Sequence, residues 1–214
     1  RIKYFVEGEE EVGSPNIPGA IDAYKDKFAA DGCIWEFGAV DYSGRPTQTL
    51  GMRGLCYVEL SVDTASLDCH SGLGGSLIPN AAWRLVWALS LLDVTDVTEL
   101  HRMAVFEPTA TINGLYSGYQ GPGAKTVLPA QAGAKIDFRL VPDQTPEEII
   151  PLLRAHLDAE GFPDVKVRYV AGVKPARTDP DNPFVQMSIQ AAADVYDLPP
   201  IVEPLIGGSG PLHP

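Results

Sequence analysis

The order of hydrophobic patterns in residues 54–173 constrains the fold of this chain more than any other feature. The segment GLCYVELSVD alternates apolar and polar residues, which is typical of a strand that buries one face, here Cys56, Val58, Leu60 and Val62. A helix, two strands, a second helix and a last strand follow along the sequence. The resulting order βαββαβ predicts a two-layer, ferredoxin-like α+β domain.

Local signals mark where the two helices of this domain begin. Asn80 stands directly before AAWRLVWALSLL, and asparagine is a preferred N-cap residue. Thr145 is followed by Pro146 and, three residues after the cap, by Glu148, which is the pattern of a capping box. The two helices are therefore predicted to begin after Asn80 and Thr145.

The segments on either side of this domain have a different pattern. IKYFVE at 2–7 and GCIWEFG at 32–38 are apolar runs of the kind found in buried parallel strands, and helical spacing lies between them. This order predicts a parallel strand pair with a right-handed crossover. Farther along, Asn182 and Pro183 are typical of a helix start, and PPIVEPLIGG reads as a strand that runs into a glycine-rich turn.

The predicted fold class is α/β, with one α/β domain interrupted by an α+β insertion. We expect residues 1–52 and 175–214 to form the outer domain and residues 53–174 to form the inserted one, because turn signals lie near both boundaries.

Composition excludes several classes of partner. The 214 residues carry a formal net charge of −12, which argues against nucleic-acid binding because that function needs a basic face. No apolar run reaches the roughly 18 residues that span a bilayer, so no membrane partner is expected. The three cysteines have no CxxC spacing and are interpreted as buried free thiols, which favours a cytoplasmic location.

Acidic residues follow both predicted strands of the outer domain. Glu9, Glu10 and Glu11 come after the first strand, and Glu36 ends the second. Ligands bind at the carboxyl ends of parallel strands, and carboxylates there would repel one another unless a divalent cation lay between them. The alternative is an ordinary solvated acidic loop.

The segment GEEEVGS at 8–14 resembles the G-x-E-E-x-G-S signature of the M20 metallopeptidases. The resemblance implies a zinc-peptidase-type catalytic domain that is interrupted by a lid, or dimerisation, domain. It implies that Glu10 is the general base and Glu11 a metal ligand. Glu36 matches the place of a further ligand about 25 residues on in that family.

His70 lies in SLDCHSGLGGSLIPN, which resembles a D-x-H-S-G…P-N segment of the family's lid domain. A lone histidine is more often a surface or satisfied core residue. The resemblance implies instead that His70 enters the active site of the other subunit of a homodimer and polarises the scissile carbonyl. Asn80 matches the asparagine of that segment and is a candidate substrate contact, although an N-cap role alone explains its residue type.

Two further segments resemble the substrate-binding parts of the dipeptidase branch. Thr126 in AKTV and Arg139 in RLVP match substrate contacts there, the arginine holding a carboxylate. The alternative for Arg139 is a surface pair with Asp137, of little energetic value. GGSGP at 207–211 could be a plain turn, or it could present Gly207, Gly208 and Ser209 to the substrate carboxylate.

The chain holds only part of the family's metal-ligand set, so we expect it to be truncated at both ends. The H-x-D strand and the bridging aspartate are expected upstream of residue 1, and the last histidine ligand is expected downstream of residue 214. His213 is not assigned that role. The resemblance implies two divalent metal ions, zinc in the first place with manganese or cobalt as alternatives, and the fragment alone is expected to be inactive.

The resemblance therefore implies a metallodipeptidase, or a related aminopeptidase or carboxypeptidase, that hydrolyses small peptides as a homodimer, and the cysteine usage favours the cytoplasm. Two alternatives stay open. An N-acyl amino-acid amidohydrolase would use the same site, because its substrates also carry a carboxylate. A non-enzymatic dimeric binding module would have kept the lid and lost the metal site.

Overall fold

The computed structural model describes residues 1–35, 38–75, 77–92 and 107–210. The chain divides into two compact units. The outer unit consists of residues 1–53 and 175–214, and the inserted unit consists of residues 54–174.

The described residues contain eleven strands and six α-helices. The strands are β1 Ala39–Val40, β2 Pro46–Thr49, β3 Gly51–Met52, β4 Gly54–Asp63, β5 Cys69–His70, β6 Thr109–Ser117, β7 Val127–Leu128, β8 Gln131–Leu140, β9 Lys166–Val173, β10 Ala176–Arg177 and β11 Ile201–Glu203. The helices are α1 Ile17–Ala23, α2 Lys25–Phe28, α3 Ser71–Gly74, α4 Ala81–Leu89, α5 Pro146–Ala159 and α6 Pro183–Tyr196. Single 3₁₀ turns cover Glu10–Val12 and Ser90–Leu92.

The inserted unit has the ferredoxin-like topology that its sequence predicts. Its four-stranded sheet has the order β6–β8–β4–β9, and every neighbouring pair is antiparallel. Helix α4 packs on β8 and β4, whereas α5 packs on β9 and β4. The order βαββαβ and the two-layer arrangement are thus confirmed.

Strict alternation along β4 builds the core of this unit. Cys56, Val58, Leu60 and Val62 are all completely buried, whereas the residues between them are partly exposed. They meet the buried faces of the two helices and of β8. Burial also raises the pKa of the Cys56 thiol to about 11, with the charge of Glu147 adding to the effect, so this thiol stays protonated at neutral pH. The three cysteines are free, but Cys33 is exposed, so the expectation that all three are buried is wrong.

Both predicted helix starts of the inserted unit are confirmed. Oδ1 of Asn80 accepts hydrogen bonds from the backbone N–H groups of Ala82, at 2.8 Å, and Trp83, at 3.2 Å. The carboxylate of Glu148 accepts hydrogen bonds from the N–H and the hydroxyl of Thr145, at 3.1 and 2.8 Å. These bonds satisfy backbone groups that have no partner inside a helix.

The outer unit contains smaller sheets. Strand β2 pairs antiparallel with β1 and parallel with β11. Strands β3 and β10 pair antiparallel, with Met52 opposite Ala176 and Gly51 opposite Arg177. The predicted helix start at 182–183 is confirmed, because Oδ1 of Asn182 accepts from the N–H of Phe184 at 2.9 Å and Pro183 opens α6.

The predicted strand at 2–7 is wrong. These residues form no strand, and Ile2, Tyr4 and Val6 are largely exposed. The segment lies instead along the end of α2, with the Phe5 ring 5.0 Å from that of Phe28. A buried parallel strand needs neighbouring strands at its edges and helices over its faces, and the described residues give this run neither.

The second predicted strand of the outer domain is also absent from the described part of its segment. Residues 32–35 have no strand structure, and the remainder of that segment includes 36–37, which lie outside the described residues. The predicted parallel pair is therefore not formed among the described residues, and the strands described in this unit make one sheet of β1, β2 and β11 and another of β3 and β10.

None of the helices in the described ranges combines the length and apolar character that crossing a membrane requires.

Candidate functional site

Residues 7–16 form a tight acidic loop held by its own side chains. The Glu7 carboxylate accepts hydrogen bonds from the N–H of Glu9, at 2.6 Å, and from the hydroxyl of Ser14, at 2.9 Å. The Glu9 carboxylate accepts from the side-chain amide of Asn16 at 2.8 and 2.9 Å. Gly13 and Ser14 have φ angles of +85° and +49°, which turn the chain sharply after the acidic residues.

Glu10 and Glu11 occupy the exposed 3₁₀ turn of this loop. Their adjacent negative charges are tolerated because water surrounds both carboxylates and screens the repulsion. The expectation that they lie at the packed edge of a parallel sheet is therefore wrong. Glu36, the fourth predicted member of the cluster, lies outside the described residues.

The donor chemistry of this loop suits a divalent cation, but the loop does not complete a metal centre. Carboxylate oxygens are good ligands for zinc and manganese. No group of three or more histidine, cysteine, aspartate or glutamate side chains comes together among the described residues, however. Of the two metal ligands predicted from the sequence, only Glu11 lies among the described residues.

His70 and Thr126 meet in the inserted unit, 56 residues apart in sequence. Strands β5 and β7 pair antiparallel, which places His70 opposite Val127. Nε2 of His70 lies 3.0 Å from the Thr126 hydroxyl, and the Ser71 N–H donates to the Thr126 carbonyl at 3.1 Å. The imidazole is exposed, so this pair presents a polar edge to solvent.

Arg139 lies near the end of β8, next to a buried carboxylate. Its Nε is 3.7 Å from Oδ1 of Asp137, and about a third of the Arg139 side chain is exposed. Oδ2 of Asp137 accepts a hydrogen bond of 3.0 Å from the side chain of Asn113, which sits at a β-bulge in β6. The Asp137–Arg139 pair considered from the sequence is therefore formed, and the carboxylate is held from two sides.

Asn80 serves as the N-cap described above, so its carboxamide oxygen is engaged by the helix backbone. Residues 207–209 run beside β3, where the Gly208 carbonyl accepts from the Arg53 N–H at 3.0 Å. A Cβ at Gly207 would meet no atom within 4 Å, so there is open space on that side of the turn. Substrate binding by Asn80, Gly207, Gly208 and Ser209 remains a prediction.

The candidate residues of the inserted unit fall into two groups at opposite ends of its sheet. Oδ1 of Asp68 accepts from the Ala130 N–H at 2.8 Å, which ties the His70 segment to the start of β8. Arg139 lies eight residues beyond Gln131 on the same strand. At about 3.3 Å per residue, roughly 26 Å of strand separates those two positions.

Sequence reasoning missed two contributors to these groups. Asn113 contacts the partner of Arg139, and Gly72 contacts His70. The Asn-Gly pair at 113–114 is a signal for a turn or bulge, but nothing in the sequence identifies the carboxylate at which Asn113 points.

A family model described as the peptidase dimerisation domain of the M20 group matches residues 50–165, which is more than half of the chain. The chain therefore belongs to the M20 family of metallopeptidases.

Two curated relatives are dipeptidases. The chain is 26% identical to the Beta-Ala-His dipeptidase of Rattus norvegicus over 81% of its own length and 46% of that protein. It is 25% identical to the Cys-Gly metallodipeptidase of Schizosaccharomyces pombe over 71% of its length and 42% of that protein. The chain thus spans less than half the length of these two relatives.

A solved structure resembles the whole chain. The M20 family metallo-carboxypeptidase of Sulfolobus solfataricus matches 96% of this chain with a TM-score of 0.80 and 31% identity, and the match covers 57% of that chain. The similarity therefore extends over both units.

Proposed function

We propose that the whole protein is a metal-dependent peptidase that hydrolyses dipeptides or short peptides. The observation that carries this proposal is the 31% identity to the solved metallo-carboxypeptidase over 96% of the chain, because that similarity extends over both units. The two curated relatives, both dipeptidases, favour short substrates.

In this proposal the outer unit supplies the catalytic domain, 1–52 with 175–214. Glu10 takes a proton from the attacking water and passes it to the leaving amine. Its exposed position on the 3₁₀ turn supports this role, because a base must reach solvent or substrate. Glu11 and Glu36 are proposed as ligands of two divalent ions, zinc or alternatively manganese or cobalt.

The inserted unit, 53–174, is proposed as the lid and dimerisation domain. His70 would donate a hydrogen bond to the oxygen that becomes negative as the peptide bond is attacked. Arg139 and Thr126 would bind the substrate, the arginine through a carboxylate, together with Asn80, Gly207, Gly208 and Ser209.

We further propose that each active site is shared between two copies of the chain in a cytoplasmic homodimer. His70 and Thr126 touch each other, but the length of β8 separates them from Arg139. A dipeptide is much shorter than about 26 Å of strand, so one substrate cannot contact both groups of the same chain. Two chains facing in opposite directions would bring His70 of one to Arg139 of the other.

An exposed apolar face on α4 supports a dimer. The rings of Trp83 and Trp87 stack at 6.0 Å, and Val86 lies on the same face of the helix. All three side chains are more than two-fifths exposed, and contiguous apolar patches of this kind mark interaction sites.

Complementation between variants of the whole protein tests the shared site. A heterodimer of His70→Ala and Arg139→Ala chains has one intact site, so random mixing should restore about a quarter of wild-type activity. A mixture of His70→Ala and Thr126→Ala should restore none, because both residues serve the same site. Recovery in the second mixture, or none in the first, would refute the shared arrangement.

Substrate panels test the reaction itself. The whole protein should hydrolyse dipeptides faster than N-acetyl or N-succinyl amino acids, and a chelator should remove the activity. Faster turnover of the acylated compounds would instead identify an amidohydrolase. A protein with no bound divalent metal and no turnover on either panel would identify a binding module.

A further inference from the structure

We propose that Gly72 is a positioning residue for His70, and that its backbone N–H fixes which imidazole nitrogen carries the proton. The proposal rests on the proposed role of His70 in catalysis. It assigns a function to a residue two positions along the chain that acts through His70.

The geometry consists of two hydrogen bonds to the two ring nitrogens. The N–H of Gly72 donates to Nδ1 of His70 at 3.1 Å. On the other side of the ring, Nε2 lies 3.0 Å from the Thr126 hydroxyl. The ring is therefore held between the start of α3 and the residue that precedes β7.

Proton counting then determines the tautomer. A backbone N–H can only donate, so Nδ1 must accept and carries no proton in this arrangement. A neutral imidazole has one N–H, which therefore resides on Nε2. Nε2 donates to the Thr126 hydroxyl oxygen here, and it is the nitrogen that a substrate oxygen would meet in place of that hydroxyl. An oxyanion needs a donor at this position, and the other tautomer would present a lone pair instead.

Glycine is favoured at position 72 because the ring lies close over the backbone. A Cβ at Gly72 would be 3.2 Å from both Cε1 and Nδ1 of His70, closer than such atoms ordinarily approach. An alanine would therefore displace the imidazole by a few tenths of an ångström and weaken the bond to Nδ1. The residue type at position 72 is thus constrained by the short distance between the His70 ring and the backbone.

The tautomer can be measured without any assay of activity. The whole protein, labelled with ¹⁵N in its histidine rings, should give long-range ¹H–¹⁵N correlations with Nε2 protonated and Nδ1 unprotonated at His70. The resonances are assigned by their absence in His70→Asn. A protonated Nδ1, or a tautomer mixture like that of free histidine, would overturn the proposal.

Two variants test the role of Gly72. Gly72→Pro removes the donor at a position in the first helical turn where proline is tolerated, and Gly72→Ala displaces the ring if the proline variant fails to fold. Both should shift His70 toward a tautomer mixture and lower kcat roughly fivefold to tenfold with little change in KM, as for the loss of one hydrogen bond.

Gly19→Ala is the control, because Gly19 is exposed and its added Cβ meets nothing within 4 Å. It should leave both the spectrum and the rate unchanged. An unchanged His70 tautomer in folded Gly72→Pro, or an unchanged kcat in both Gly72 variants, would refute the positioning role. A wild-type protein without peptidase activity would refute the proposed function instead, and the spectrum would still report the tautomer.

Discussion

The side-chain amide of Asn113 donates a hydrogen bond of 3.0 Å to Oδ2 of Asp137. Asp137 is 91% buried, and its Oδ1 has no hydrogen-bond partner among the described residues, although Nε of Arg139 lies 3.7 Å away. A buried carboxylate needs compensation, and Asn113 supplies part of it from a bulge in the neighbouring strand. The bulge is thus a structural device that stabilises the carboxylate beside Arg139.

Replacing Asn113 should destabilise the inserted unit. Asn113→Ala removes a hydrogen bond to a charged group and should lower the free energy of unfolding by about 1.5–3 kcal/mol. Urea denaturation measures this loss. Ser117 lies on the same strand as Asn113, and its hydroxyl donates an exposed hydrogen bond to the Gln131 carbonyl. Ser117→Ala is therefore the matched control and should lower the free energy of unfolding clearly less. Equal losses in the two variants would argue that Asn113 makes only an ordinary surface contact.

Glu10→Gln in the whole protein should abolish turnover while the bound metal is retained. The amide keeps the shape of the side chain but cannot take a proton, so kcat should fall by roughly 10²–10⁴-fold. Metal content by mass spectrometry and steady-state kinetics check the two halves of the prediction. Asp22→Asn, an exposed carboxylate on α1, should change neither. Near-normal turnover in Glu10→Gln would show that the base is another residue.

Acidification should weaken the link between α4 and the segment before β9. Arg84 donates to Asp164 through Nε at 2.8 Å and stacks over the Phe162 ring at 4.3 Å. The hydrogen bond from Arg84 holds the pKa of Asp164 below its usual value, against the opposing effect of burial. A lowered pKa in the folded state stabilises the protein above the unfolded pKa of about 3.9, and this contribution is lost as the pH falls through the folded value.

Asp164→Asn tests this pH dependence. The stability difference between wild type and variant in urea should be present at pH 7 and should shrink as the pH approaches 3. Because the Asp164 side chain is 42% exposed, solvent screening keeps the effect modest. A difference that stays constant over this range would mean that the charge of Asp164 does not contribute.

A charge on the exposed face of α4 should separate the proposed dimer. Val86→Asp places a carboxylate beside Trp83 and Trp87, so burying the face would cost the solvation of that charge. Sedimentation should show monomers, and activity should fall with dimer content. Leu152→Asp, at an even more exposed apolar position on α5, should leave the assembly intact. A Val86→Asp protein that remains dimeric would place the interface elsewhere.

The fold of the inserted unit could be predicted because the sequence signals that specify its helices and strands are local. The alternation on β4 and the caps at Asn80 and Thr145 each act within a few residues, and they all agree on the same elements. The strand predicted at 2–7 is wrong because an apolar segment indicates burial but does not specify the neighbouring strands and helices that would bury it.

The candidate site was only partly accessible to sequence reasoning, for the same reason. His70 and Thr126 were each identified as candidates, but their contact depends on the pairing of β5 with β7 across 56 residues. The separation of this pair from Arg139 follows from the length of β8, which becomes informative only when the strand register is known.

The pairing of β3 with β10 bears on how this protein can be engineered and on how an insertion into the outer unit is accommodated. They hold Met52 directly opposite Ala176, so the strand that leads into the inserted unit and the strand that follows it are hydrogen-bonded to each other. Residues 54–174 are therefore a cassette whose two ends are already adjacent. A short glycine linker that joins β3 to β10, or the corresponding segment of a relative, should therefore replace residues 54–174 without disrupting the outer unit.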